Sequence, residues 1–271
     1  YKRQHQNGRL KMSHNQKNGA NKMKKSTKLF MLTIILGALT VPVTTFAADG
    51  GVYTSNGVVE FVPNEDPTDP VDPTDPTGPV NPIDPTDPDG PNPGTNGPLS
   101  IDYASSLDFG VQKITSKDQT YFAASQKYKT LDAEGNPSTE VKEGPNYVQV
   151  TDNRGTEAGW SLKVNQEGQF TSTSGKELTG ATISFKNGRV VTASDSGKPV
   201  GPETIVLNAD GSQSDVMAAS VGNGAGTYLY TWGTATTASE SIELSVPGST
   251  TKYAEKYSTK LTWTLTDVPG N

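Results

Sequence analysis

From Pro98 onward the chain alternates: apolar side chains fall at every second position in short runs, and clusters of Gly, Asn, Asp and Ser separate the runs. A period of two puts successive side chains on opposite faces of an extended backbone, so each run predicts a half-buried strand. The runs are 99–103 (LSIDY), 119–130, 145–151 (PNYVQVT), 158–166, 181–186 (ATISFK), 189–193 (RVVTA), 203–208 (ETIVLN), 227–232 (TYLYTW), 240–246 (ESIELSV) and 259–266 (KLTWTLTD). Turn chemistry lies between them, as at Asp132–Pro137, Lys186-Asn187-Gly188 and Asn208–Gly211. Only Val216–Ser220 hints at a short helix. Many short strands joined by turns predict an all-β, β-sandwich-like domain over residues 99–271.

Two runs stand out. In AGWSLKV (158–164) the side chains of Trp160, Leu162 and Val164 share one face, and in LTWTL (261–265) those of Leu261, Trp263 and Leu265 do the same. These two Trp-x-Leu strands are expected to be inner strands of one domain. Two readings of the tryptophans stay open: inward-facing core residues, or flat rings stacked on a sugar. Tyr228, Tyr230 and Trp232 form a second aromatic row on one strand face, with the same two readings: a sugar platform or core. Arg154, in the turn Asp152-Asn153-Arg154-Gly155, is a further candidate for glycan contact, or a partner for Asp152 that braces the Trp160 strand.

Upstream of that domain the pattern changes. Residues 49–65 alternate around Val58–Val62 and predict a short β segment that pairs with the later domain, since an isolated hairpin is marginal in water. Residues 66–98 repeat Asp-Pro, which predicts an extended, polyproline-like linker. It serves either as a stalk or as a long excursion between strands of one domain. Residues 1–48 read as an upstream extension plus a secretory signal peptide. Lys24, Lys25 and Lys28 precede the apolar run Leu29–Leu39, and Thr45-Phe46-Ala47-Ala48 supplies small residues for cleavage. The apolar run is short for a span of about 20 residues, so no membrane insertion is expected after cleavage. No Leu-Pro-x-Thr-Gly motif occurs in the sequence, so any retention at the surface is expected to be non-covalent.

Charge and composition narrow the chemistry. Residues 1–48 hold nine Lys/Arg and no acid, which leaves the rest with 14 of the 23 basic residues and all 29 acidic ones, net −15. That balance argues against nucleic acid as a partner. The chain has no Cys, and its two histidines, His5 and His14, both precede the expected cleavage. The mature chain would then have no thiol or imidazole for nucleophilic catalysis or metal ligation, so no enzyme activity, cofactor or metal is expected.

At this point the chain resembles a family. GWSLKV at 159–164, LTWTL at 261–265, YVQVTDNRGT at 147–156 and LSIDYASSLDFG at 99–110 look like the pattern of WxL-domain surface proteins of Gram-positive bacteria. That resemblance implies a secreted protein at the cell wall or cell surface, held non-covalently by peptidoglycan. It also implies partnership with other surface proteins encoded alongside. An adhesion or scaffold subunit binding a companion or host matrix protein is the alternative.

Overall fold

The computed structural model describes residues 50–270. The expected signal peptide and upstream extension lie outside the described residues. In chain order the strands are β1 Val80–Ile83, β2 Leu99–Ala104, β3 Gln119–Phe122, β4 Gln126–Thr130, β5 Lys142–Gly144, β6 Asn146–Asp152, β7 Trp160–Gln166 and β8 Thr171–Ser172. They continue with β9 Thr182–Phe185, β10 Gly188–Val191, β11 Ile205–Val206, β12 Ser214–Ala219, β13 Gly226–Trp232, β14 Ile242–Val246, β15 Tyr257–Ser258 and β16 Leu261–Thr266. One 3-10 turn, Ala238–Glu240, is the only helical element among the described residues. Val216–Ser220 is not a helix. Val216–Ala219 belongs to β12, where pairing with β7 and a register shift between Asp215 and Met217 override the local hint.

The fold is all-β and sandwich-like. One layer is the antiparallel sheet β10-β13-β6-β2. The facing side is built from β11-β9-β14-β3 and β12-β7-β16, with β11 lying beside β12. Their inner faces meet in one core that includes Val148, Val150, Trp160, Leu162, Ile183 and Tyr230. β7 shows why the sequence was readable: Trp160, Leu162, Val164 and Gln166 are buried, and the intervening residues are half-exposed. β6 instead is buried at all seven positions, because something covers its outer face.

That cover is the Asp-Pro-rich segment. Val71 N–H donates to Gln149 Oε1 (2.8 Å), and Gln149 Nε2 donates to Asp69 O (3.0 Å). Val71 also packs on the outer-face cluster of Tyr103, Tyr147 and Leu229. β1 pairs in register with β4, and β4 with β5. The linker expected over 66–98 is therefore folded onto the sheet. The physical reason is the threonine that follows Asp72-Pro73, Asp75-Pro76 and Asp84-Pro85. Asp72, Asp75 and Asp84 each accept hydrogen bonds from the N–H and Oγ1 of Thr74, Thr77 and Thr86, two residues on. These three Asp-Pro-Thr triplets close into turns instead of extending. Asp72 goes further: its Oδ1 accepts from the Tyr128 hydroxyl (2.9 Å), whose pKa burial pushes up to about 12.

The same outer face carries a buried polar knot. Asp102 accepts from Ser100 (2.6 Å), Thr151 (2.6 Å) and Gln149 (2.9 Å). Burial raises its pKa, and the three hydrogen bonds oppose that rise without cancelling it.

Residues 58–270 form one compact unit. Residues 50–57 form part of a separate unit and are exposed, without regular structure. The expected β segment over 49–65 is absent: no strand occurs over 50–65. Val58, Val59, Phe61 and Val62 are 95%, 73%, 88% and 77% exposed. Alternation alone does not hold a strand without a neighbouring edge to pair with. The backbone of this stretch is tied at Asn64, whose N–H donates to Asn153 O (3.3 Å).

Candidate functional site

The two Trp-x-Leu motifs are adjacent. β16 pairs antiparallel with β7, with Trp263 opposite Val164 and Leu265 opposite Leu162. β12 flanks β7 on its other edge, with Met217 opposite Leu162 and Ala219 opposite Trp160. The antiparallel run places the two tryptophans toward opposite ends of the strand pair. Both project into the same core, because directly opposed residues share a face.

Their environments differ. Trp160 is fully buried (0% exposed). Its Nε1–H donates to Gly224 O (3.0 Å), and its ring lies 6.3 Å from that of Tyr228. Glycines shape the seat. Gly224 has φ +85, and a Cβ there would fall 2.4 Å from Ala219 Cβ and 2.7 Å from Trp160 Nε1. Gly159, with φ +79, would put a Cβ 2.6 Å from Ala219 O. Only glycine meets both requirements cheaply. Trp263 is half-buried. It continues an aromatic file through the core: Phe185 to Trp232 at 4.5 Å, then Trp232 to Trp263 at 5.9 Å.

The second aromatic row lies inside. Tyr228, Tyr230 and Trp232 are 0%, 1% and 1% exposed. β13 is a central strand between β10 and β6, and its other face, Leu229 and Thr231, is buried too. Tyr228 donates to the carbonyls of Ser196 and Ala225 (3.2 Å each), and Tyr230 to Pro202 O (2.7 Å). Burial, then the Glu203 charge, raises the Tyr230 pKa to about 12. Backbone carbonyls thus satisfy the two tyrosine hydroxyls, the buried Trp232 Nε1–H has no hydrogen-bond partner, and none of the three rings presents a face to a sugar. This corrects the platform reading: a central strand covered on both sides has no exposed face, which its own sequence does not reveal.

Arg154 is a brace. Its Nε and Nη2 donate to the two Asp152 carboxylate oxygens (2.9 and 2.8 Å), and Nη2 donates again to Gly159 O (2.8 Å). The carboxylate holds the guanidinium pKa above its ordinary value. Asp152 ends β6 and Gly159 precedes Trp160, so this fork ties the start of β7 to the neighbouring layer. Three of its five donors are committed to that task, which argues against the glycan-contact reading of Arg154.

Trp263 also borders a cleft of about 1690 Å³. β2, β3 and β16, each an end strand of its sheet, all contribute to its walls. Sequence reasoning missed both the cleft and the glycine seat. Gly159 directly before the tryptophan was a signal for the seat. Among the described residues, no helix is long and apolar enough to cross a membrane.

A family model described as WxL domain, surface cell wall-binding, matches residues 48–269. No curated protein and no solved structure matches the chain.

Proposed function

Since the chain belongs to the WxL family of surface, cell wall-binding domains, we propose that it is a secreted, non-catalytic protein retained on the wall by non-covalent binding of peptidoglycan. The observation that carries this reading is the family match across residues 48–269, which takes in both Trp-x-Leu strands. The buried seat of Trp160 supports a role for that motif beneath the binding surface, where its ring anchors the start of β7 to Gly224 and Tyr228. The Asp-Pro-rich segment, folded on the outer face of the sheet, belongs to the domain that binds.

The alternative, a subunit whose main ligand is a companion surface protein, draws support from one observation. Four large apolar side chains between Val58 and Val62 stand exposed, as a protein-binding segment would hold them. A sedimentation assay with protein-stripped sacculi separates the two. The purified chain alone is expected to pellet with the sacculi and to stay in the supernatant without them. Pelleting only after a companion protein is added would replace wall binding by the subunit reading.

A further inference from the structure

Val58, Val59, Phe61 and Val62 lie in an extended stretch that ends at Pro63, and each is at least 73% exposed. Large apolar residues are seldom gathered in the open on a finished surface. The alternation around Glu60 is that of a strand without a sheet. Pro63 has no N–H to donate and marks where pairing would stop.

The same molecule has a place that a strand would fill. The side of the sandwich that ends in β3 at one limit and β16 at the other does not close on itself, and both end strands line the cleft. β16 pairs with β7 along one edge only. Its inward side chains Leu261 and Trp263 are half-buried, packed on the core but reached by solvent. At ~3.3 Å per residue, a five-residue strand spans about 16 Å, against about 20 Å for the six residues of β16.

The charges match as well. The stretch Val58–Asp66 contains Glu60, Glu65 and Asp66 and no basic residue. Lys113, Lys256 and Lys260 line the cleft, are exposed, and take part in none of the four ion pairs among the described residues. The cleft's acids are engaged: Asp84 accepts from Ser106 and Thr86, Glu255 from Ser174, and Asp108 from the Gly110 N–H. The three lysine ammonium groups are the cleft charges that no hydrogen bond or ion pair among the described residues engages.

We infer that Val58–Val62 of one copy enters the cleft of a second copy as an added strand along the free edge of β16, so that the protein associates with itself by strand donation. Val59 and Phe61 cover Leu261 and Trp263. Glu60, on the opposite face, meets the lysines. Main-chain hydrogen bonds to an open edge supply affinity, and the alternate side chains supply register.

Light scattering on the purified chain, without sacculi, tests this independently of wall binding. Between about 1 and 100 μM the wild type is expected to pass from monomer to dimer. Phe61→Asp is expected to weaken the dimer roughly tenfold or more, a change of about 1.4 kcal/mol or above. Phe61 is exposed, so the monomer's melting temperature should not move. A peptide of sequence SNGVVEFVPNED, copied from residues 55–66, is expected to dissociate the wild-type dimer. Glu60→Lys is expected to weaken association, and Lys256→Glu with Lys260→Glu to restore it in part. A wild type that stays monomeric through that range overturns the inference, as does a dimer indifferent to Phe61→Asp and to the peptide. A monomer whose melting temperature falls with Phe61→Asp would show the segment folding back on its own domain, and overturns it too.

Discussion

Trp160→Ala is expected to destabilise the domain by ~3–5 kcal/mol, lowering its urea midpoint, and to lose retention on sacculi wherever the fold is lost. The side chain is fully buried, its N–H is hydrogen-bonded to Gly224 O, and its ring packs beside Tyr228. Truncating a buried tryptophan costs ~3–5 kcal/mol through lost transfer energy and the cavity left behind. Here the cavity resists collapse, because the seat is walled by the backbone of Gly224 and by Ala219 on the neighbouring β12. A loss of that size removes much of a typical domain stability of about 5–15 kcal/mol. Gly224 O also loses its indole donor. Urea unfolding followed by tryptophan fluorescence, with Trp232 and Trp263 as remaining probes, measures the shift. A Trp160→Ala chain with an unchanged midpoint would show that the buried ring does not support the fold.

Arg154→Ala is expected to destabilise the domain by about 3 kcal/mol, the lower end of the range for breaking a buried ion pair. The lower end applies because the Arg154 side chain is 17% exposed, although that of Asp152 is only 1% exposed. The cost arises from the partner left behind. Asp152 would keep a carboxylate out of water with its two charge-assisted hydrogen bonds gone. The Asp152→Asn, Arg154→Ala double variant should therefore lose less than Arg154→Ala alone, since it removes the stranded charge. Urea midpoints of the two variants decide it. A double variant no more stable than the single would show that the stranded Asp152 charge is not the source of the loss.

How much of this was legible in the sequence depended on whether a residue's surroundings follow from its own strand. Alternation sufficed to place β7 and β16 as strands of one domain, with Trp160, Leu162 and Val164 on one face and Leu261, Trp263 and Leu265 on the other strand's face. The expectation of two inner strands held only for β7, since β16 ends its sheet. That the strands are neighbours, with Leu162 opposite Leu265, is a matter of register between distant segments, which periodicity does not encode. The burial of Tyr228, Tyr230 and Trp232 depends on what lies across both faces of β13, including the covered outer face of its sheet. The Asp-Pro repeat misled because proline was weighed without the threonine that follows it, and the aspartate–threonine hydrogen bonds convert an extended pattern into turns. Residues 50–65 misled in the opposite way. Their alternation is that of a strand, but nothing within their own stretch supplies an edge to pair with.

The central claim is that the motif tryptophans serve wall binding through the frame they build. The Trp263→Phe chain tests it most directly, because Trp263 is the half-buried member of the pair and the one that reaches the cleft. Phenylalanine keeps a ring against Trp232 and costs about 1–2 kcal/mol at a partly buried site, too little to unfold the domain. With folding verified by its urea midpoint, this chain is predicted to pellet with protein-stripped sacculi as the wild type does. A folded Trp263→Phe chain left in the supernatant would contradict the account and make the indole itself a contact to the glycan.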